Sequence, residues 1–166
     1  MPLSLLPKVI AGDITRLTPE YLKSQGIRLL MMDFDNTIVP YTTNIPTQAV
    51  VDWFDAMKAS DVRMCVVSNS KNDRVKIFCD KYGIDCITHA KKPFSKGIRQ
   101  CLDRYQLPAQ ECALVGDQIY TDILGANSCG VRSILVKAIH NHNFWLKARH
   151  LLELPPIFLA GKRKIR

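Results

Sequence analysis

A chain of 166 residues that is 47% hydrophobic and 23% charged is large enough for one globular domain with a real core, and its composition excludes a disordered or fibrous protein. No apolar run is long enough to span a bilayer, and the apolar start "MPLSLLPKVIAGD" has no basic n-region and is interrupted by Pro2 and Pro7, so it does not read as a signal peptide. The formal net charge of +8 points to an anionic partner, either lipid headgroups or nucleic acid, with a merely solvated basic tail as the bland alternative.

Along the chain, apolar runs alternate with helical patterns. "IRLLMMDFD" (27–35) predicts a buried strand. The spacing of Val50, Val51, Phe54 and Met57, with Pro46 near the start, predicts a helix over 45–60. "VRMCVVSNS" (62–70) predicts a second strand, and 72–83 a helix with Asn72 as cap and Gly83 as stop. A third strand follows at 84–90, a helix at 94–107, a fourth strand at 112–118, a helix at 120–130 closed by Gly130, and a fifth strand at 131–137. Five near-continuous apolar strands separated by helices predict an α/β protein, with a mainly parallel sheet covered on both faces. The whole chain, 1–166, reads as one domain with its core at about 27–137.

The six cysteines (Cys65, Cys79, Cys86, Cys101, Cys112, Cys129) form no CxxC pair, and several lie in apolar runs. They read as buried, reduced thiols and indicate a reducing, intracellular compartment. The segment 138–166 carries six Lys or Arg and one acid, Glu153, and four of those six fall in the terminal "GKRKIR". It also carries Phe144, Trp145, Leu151, Leu152, Leu154, Ile157, Phe158 and Leu159. That mixture suits either a surface-lying membrane segment or apolar residues packed on the domain. The N-terminal "PLSLLPKVI" has the same two readings, a second membrane contact or packing on a sheet edge.

Parallel sheets bind ligands beyond the carboxyl ends of their strands. Asp33 and Asp35 end the first predicted strand, Ser68 and Asn69 the second, and Asp117 the fourth, so all converge on one rim. Asp122, Thr37 and the lysines of "HAKKP", Lys91 and Lys92, lie close by in sequence to these ends. Clustered carboxylates repel unless a cation sits between them. Oxygen ligands of this kind suit Mg²⁺ together with a substrate phosphate. One aspartate can then attack phosphorus, and its neighbour two residues on can act as acid and base.

These residues resemble the four motifs of the haloacid dehalogenase (HAD) superfamily: "DFDNT" at 33–37, Ser68 in "VVSNS", Lys92 in "AKKP", and Asp117 with Asp122 in "GDQIYTD". The resemblance implies a Rossmann-like three-layer sandwich with strand order 5-4-1-2-3. It implies Asp33 as nucleophile and Mg²⁺ ligand. Asp35 becomes the acid/base and offers Mg²⁺ its backbone carbonyl. Thr37 supports the loop at the substrate. Ser68, Asn69 and Lys92 bind phosphate, and Asp117 and Asp122 complete the metal site. His89 reads as a strand-end polar residue, and His140, His142 and His150 as loop residues without acidic or thiol companions.

From Thr37 to Ser68 there is room for one helix, and from Ser68 to Lys92 for one helix and one strand. No cap domain fits, which resembles the capless HAD class that acts on large substrates. Within it, the chain resembles the YqeG-type subfamily, which includes the mitochondrial phosphatidylglycerophosphate phosphatase. That implies conversion of phosphatidylglycerophosphate to phosphatidylglycerol by a peripheral protein in the cytoplasm or an organelle matrix. The alternative is a capless phosphatase for nucleic-acid ends, phosphoproteins or other phosphomonoesters. With 8% aromatics and no basic-aromatic interleaving, nucleic acid is not favoured. A non-catalytic scaffold would have lost a motif aspartate, and none is lost.

Overall fold

A computed structural model describes residues 4–71 and 73–139. Asn72, the three C-terminal histidines and the basic segment from 140 onward lie outside the described residues. The chain forms β1 (Val9–Ala11), a 3₁₀ turn (Ile14–Arg16), α1 (Pro19–Ser24), β2 (Leu29–Met32), α2 (Gln48–Lys58), β3 (Arg63–Val67) and α3 (Arg74–Tyr82). Then follow β4 (Asp85–Ile87), α4 (Lys96–Tyr105), β5 (Cys112–Gly116), a π-helical turn (Ile119–Ile123), α5 (Leu124–Ser128) and β6 (Arg132–Val136).

The sheet has six strands in the order β1-β6-β5-β2-β3-β4, every neighbouring pair parallel. The five expected strands keep their expected order. The correction is a sixth, β1, added beside β6 with Val9 opposite Ile134. Three residues are too few to show a period-two pattern, so this strand was not legible in the sequence. Its formation decides the N-terminal segment in favour of the sheet edge: Leu5 and Ile10 pack on Ile119, Ile123 and Leu135.

Side-chain alternation along β2 builds the three layers. Leu30 and Met32 face a core that includes Trp53, Phe54 and Phe78 of α2 and α3. Leu29 and Met31 face the other, with Ile98 and Cys101 of α4 and Ala126 of α5. All four β2 residues are buried, as expected for a central strand of a doubly covered sheet. The helix ends follow local chemistry. Thr47 caps α2, accepting from the Val50 N–H, so the helix begins at Gln48 and not at 45. Gly83 stops α3 at φ 60°, where a side chain would be strained. At the start of α3 the capping position is Asp73, which makes no side-chain capping bond. The helix expected over 120–130 is divided, its first turn widened into the π-helical turn that carries Asp122.

All six cysteines are free thiols. Burial pushes the thiols of Cys79, Cys86 and Cys112 up, which keeps them protonated and unreactive. Among the described residues between Asp33 and Lys92 the chain forms α2, β3, α3, β4 and their loops, with no cap. The strand order reverses at β2, with β5 on one side and β3 on the other, and this switch point opens the crevice at its carboxyl end.

Gly97, in the first turn of α4, approaches the loop before Lys92. A Cβ there would lie 2.5 Å from the Cα and Cβ of Ala90. Gly97→Ala should therefore destabilise the protein by about 1–3 kcal/mol, read as a lower denaturant midpoint.

Candidate active site

β2 delivers the first carboxylate. The Asp33 N–H donates to the Val115 carbonyl (2.9 Å), prolonging the ladder by one residue. The chain then turns tightly. Asn36 adopts φ 61°, its N–H donates to Val39 O (2.7 Å), and the Ile38 N–H donates to Phe34 O (3.0 Å). Phe34 is fully buried and packs edge-on against Phe78 at 5.0 Å, while Asp33 and Asp35 on either side of it line the crevice. The apolar residue between two acids thus anchors the turn.

The end of β3 contributes Ser68, buried, its Oγ accepting from the Ser70 N–H (3.1 Å). The Ala90 N–H donates to Ser68 O (3.0 Å), stitching this end to the loop after β4. Asn69 completes that link. Its Oδ1 accepts from the Lys92 N–H (2.7 Å) and its Nδ2 donates to Lys92 O (2.9 Å). The sequence reading put Asn69 on the phosphate. Asn69 lines the pocket, and its side-chain amide grips the main chain of Lys92 from both sides. Thr37, expected to support the loop at the substrate, is buried in the turn after Asp35 and does not line the pocket itself.

Lys92, and not the exposed Lys91, reaches the acids. Its Nζ lies 2.7 Å from Asp33 Oδ1 and 2.8 Å from Asp122 Oδ1, with its side chain 1% exposed. Burial alone would lower the pKa of this ammonium, but Asp122 and Asp33 outweigh burial and hold it above its ordinary value. Burial pushes the Asp122 carboxyl up to about 6, Lys92 opposing and Asp33 adding. Its Oδ2 accepts from the Gln118 N–H (3.1 Å). An exposed helix position for Asp122 is excluded. His89 is exposed beside Thr88, a strand-end residue as expected.

Carboxylate oxygens of Asp33, Asp117 and Asp122 come within 4.8 Å of one another, all three side chains buried. Lys92 lies against two of them, Asp33 and Asp122, so one ammonium faces three clustered, buried carboxyl groups. A hard divalent cation prefers an all-oxygen donor set of this kind and would add positive charge beside it, so the residues fit one. The Asp35 carboxylate is not in that cluster. It faces Arg74, whose NH1 lies 3.0 Å from Asp35 Oδ1. Burial raises the Asp35 pKa, with Arg74 opposing and Asp33 adding.

Arg74 was missed by the sequence reading. It stacks 5.1 Å over the Phe34 ring, donates to Asn44 Oδ1 (2.8 Å), and reaches the carbonyls of Tyr41 and Thr43. It therefore ties α3 to the loop after Asp35. Nothing in its spacing marks it, since the contacts join segments thirty residues apart. Gly116 was missed too, though its signal was present: a glycine directly before Asp117. A Cβ at Gly116 would lie 2.3 Å from the Asp122 carboxyl carbon, so only glycine admits that carboxylate.

The HAD-hydrolase-like family model matches residues 89–143. Over 159 residues the chain is 35% identical to the probable phosphatase YqeG of Bacillus subtilis (strain 168), covering 96% of this chain and 92% of the relative. The chain belongs to the HAD superfamily, as a phosphatase of the YqeG type. A chloroplastic phosphatidylglycerophosphate phosphatase 1 of Chlamydomonas reinhardtii is 25% identical over 143 residues, covering 81% of this chain and 53% of the relative. This chain thus spans about half the length of that protein. Among solved structures, the cobalt-bound deoxy-D-mannose-octulosonate 8-phosphate phosphatase of Haemophilus influenzae superposes with a TM-score of 0.56 at 12% identity, covering 85% of this chain and 93% of that one, a likeness of fold.

Two outcomes follow for this YqeG-type phosphatase. Gly116→Ala should displace Asp122 and lower phosphatase activity at least about tenfold, read on any soluble phosphomonoester. Magnesium chloride well above its dissociation constant should raise the melting temperature by a few degrees, and Asp117→Asn should remove that shift.

Proposed function

We propose that this YqeG-type phosphatase removes the terminal phosphate of phosphatidylglycerophosphate at a membrane surface, leaving phosphatidylglycerol, through an aspartyl-phosphate on Asp33 and with Mg²⁺. The observation that carries the chemistry is the Asp33 carboxylate. It lines a pocket of about 290 Å³, held by Lys92 and adjoining the Asp117 and Asp122 carboxylates. The lipid is supported by the phosphatidylglycerophosphate phosphatases among the relatives and by the absence of a cap over the pocket.

In the first half-reaction an Asp33 oxygen attacks phosphorus and the bond from phosphorus to the glycerol oxygen breaks. The leaving oxygen takes a proton from the Asp35 carboxyl, and the phosphoryl group remains on Asp33. In the second, Asp35 accepts a proton from water, the water oxygen attacks phosphorus, and the bond to Asp33 breaks, releasing inorganic phosphate. The Ser68 hydroxyl and the Lys92 ammonium hold the non-bridging oxygens, with Asn69 fixing where Lys92 stands. Asp33, Asp117 and Asp122 would hold Mg²⁺, which when bound offsets the charge of the phosphate beside the carboxylates. Asp35 rests against Arg74, which keeps the acid beside the nucleophile's strand end.

Such a substrate makes the protein a peripheral one, in the cytoplasm or an organelle matrix. Among the described residues no helix is long and apolar enough to cross a membrane.

The test is phosphate release from phosphatidylglycerophosphate in mixed micelles. Release should require Mg²⁺, stop with chelator, and fall by about 10³-fold or more in Asp33→Asn. If that lipid is inert while a generic phosphomonoester is hydrolysed through Asp33, the lipid assignment fails, and nucleic-acid ends and phosphoproteins become the substrates to examine.

A further inference from the structure

Five large apolar side chains are exposed among the described residues: Tyr41 (44%), Ile45 (74%), Ile77 (66%), Phe94 (73%) and Ile139 (39%). Scattered singly, exposed apolar residues mean nothing. These are not scattered. Because every strand runs parallel, all carboxyl ends share one rim. Tyr41 and Ile45 lie in the loop after β2, Phe94 in the loop after β4, and Ile139 just after β6. Ile77 lies one turn beyond Arg74, which itself contacts Asp35. The connections at the opposite end of the sheet, at 25–28, 59–62, 83–84, 106–111 and 129–131, carry none.

The rim residues are tied to the segments that build the catalytic pocket. Tyr41 lines it. Phe94 is two residues from Lys92, its N–H bonded to Lys91 O (2.8 Å). The Ile139 N–H donates to Asn36 O (3.0 Å), in the turn between the catalytic aspartates and Val39. Ile45 adjoins Asn44, which Arg74 holds at 2.8 Å, so it stands on a braced loop. Exposed Lys71, Lys91 and Lys137 share this rim. Its exposed acids are Asp13 and Asp73, while the carboxylates of the metal cluster are buried.

The pocket wall is polar: Asp33, Asp35, Ser68, Asn69, Lys92 and Gln118. It accommodates a phosphate and offers no apolar channel for an acyl chain. A lipid substrate must then keep its chains in the bilayer while its headgroup enters, which brings the rim to headgroup depth. Apolar tips among lysines are what an anionic bilayer surface receives.

We propose that this rim is the membrane-docking face, seated on an anionic bilayer with Ile45 and Phe94 inserted beside the pocket mouth. The inference rests on the lipid reading of the active site. It places the docking element on the catalytic domain itself, where the sequence pointed to the chain termini.

The experiment uses the full chain and vesicles of phosphatidylcholine mixed with phosphatidylglycerol. Ile45→Ser and Phe94→Ser should each weaken vesicle binding about tenfold and slow hydrolysis of vesicle-borne phosphatidylglycerophosphate in proportion. Both should hydrolyse a short-chain, monomeric form of the same lipid within about twofold of wild type, which also shows that they are folded. Phe94→Trp should give fluorescence that brominated lipid quenches beyond the wild-type level. Wild-type vesicle binding by both serine variants, with no added quenching, overturns the docking face and leaves the lipid reading standing. A wild type that hydrolyses neither form of the lipid overturns the lipid reading and the docking face with it. A dimer that the same substitutions dissociate, without vesicle binding, assigns the face to a second copy and overturns the proposal.

Discussion

The active site is organised around one buried ammonium. Three carboxylates from two separate strand ends cannot share a buried volume without compensation, because each would be desolvated beside like charges. Lys92 provides part of it, standing between Asp33 and Asp122. A divalent cation held by the same carboxylates would add to that compensation. The site is thus held together before any phosphate arrives, at the cost of burying a lysine that is stable only while both partners remain.

Placing that ammonium takes a chain of backbone constraints. Asn69 holds both main-chain polar groups of Lys92. The loop bearing Lys92 is joined to the end of β3 through Ala90 and Ser68. Gly97 lets α4 approach Ala90, and Gly116 makes room for the Asp122 carboxylate. Two glycines and an asparagine therefore decide where a charge sits, although none of them touches phosphorus in the proposed chemistry. Their contribution is positional, and positional precision is what transition-state stabilisation depends on.

Arg74 performs the corresponding task on the other side of the pocket. It pairs with Asp35, stacks over Phe34 and fastens the loop carrying Tyr41 and Asn44. The acid/base of the proposed reaction and the apolar rim are thereby secured by one side chain. A surface that met a bilayer would gain from being braced in this way, since a preformed rim pays less ordering entropy on docking.

Much of this protein was determined by the sequence itself. Continuous apolar strands announced a parallel sheet. Its strand ends pointed to Asp33, Asp35, Ser68, Asn69 and Asp117, and the resemblance to the HAD motifs added Lys92 and Asp122. The tertiary structure alone decided the rest. β1 is too short for a periodic signal and forms because β6 offers an edge. Asn69 acts on a backbone twenty-three residues away, and Arg74 on a loop thirty residues away. The placement of Ile45, Phe94 and Ile139 at the carboxyl-end side of one sheet follows from the parallel strand order and not from spacing. Local patterns are written along the chain at periods of two and 3.6 residues. Contacts between distant segments obey no period, and the packed fold alone reveals them.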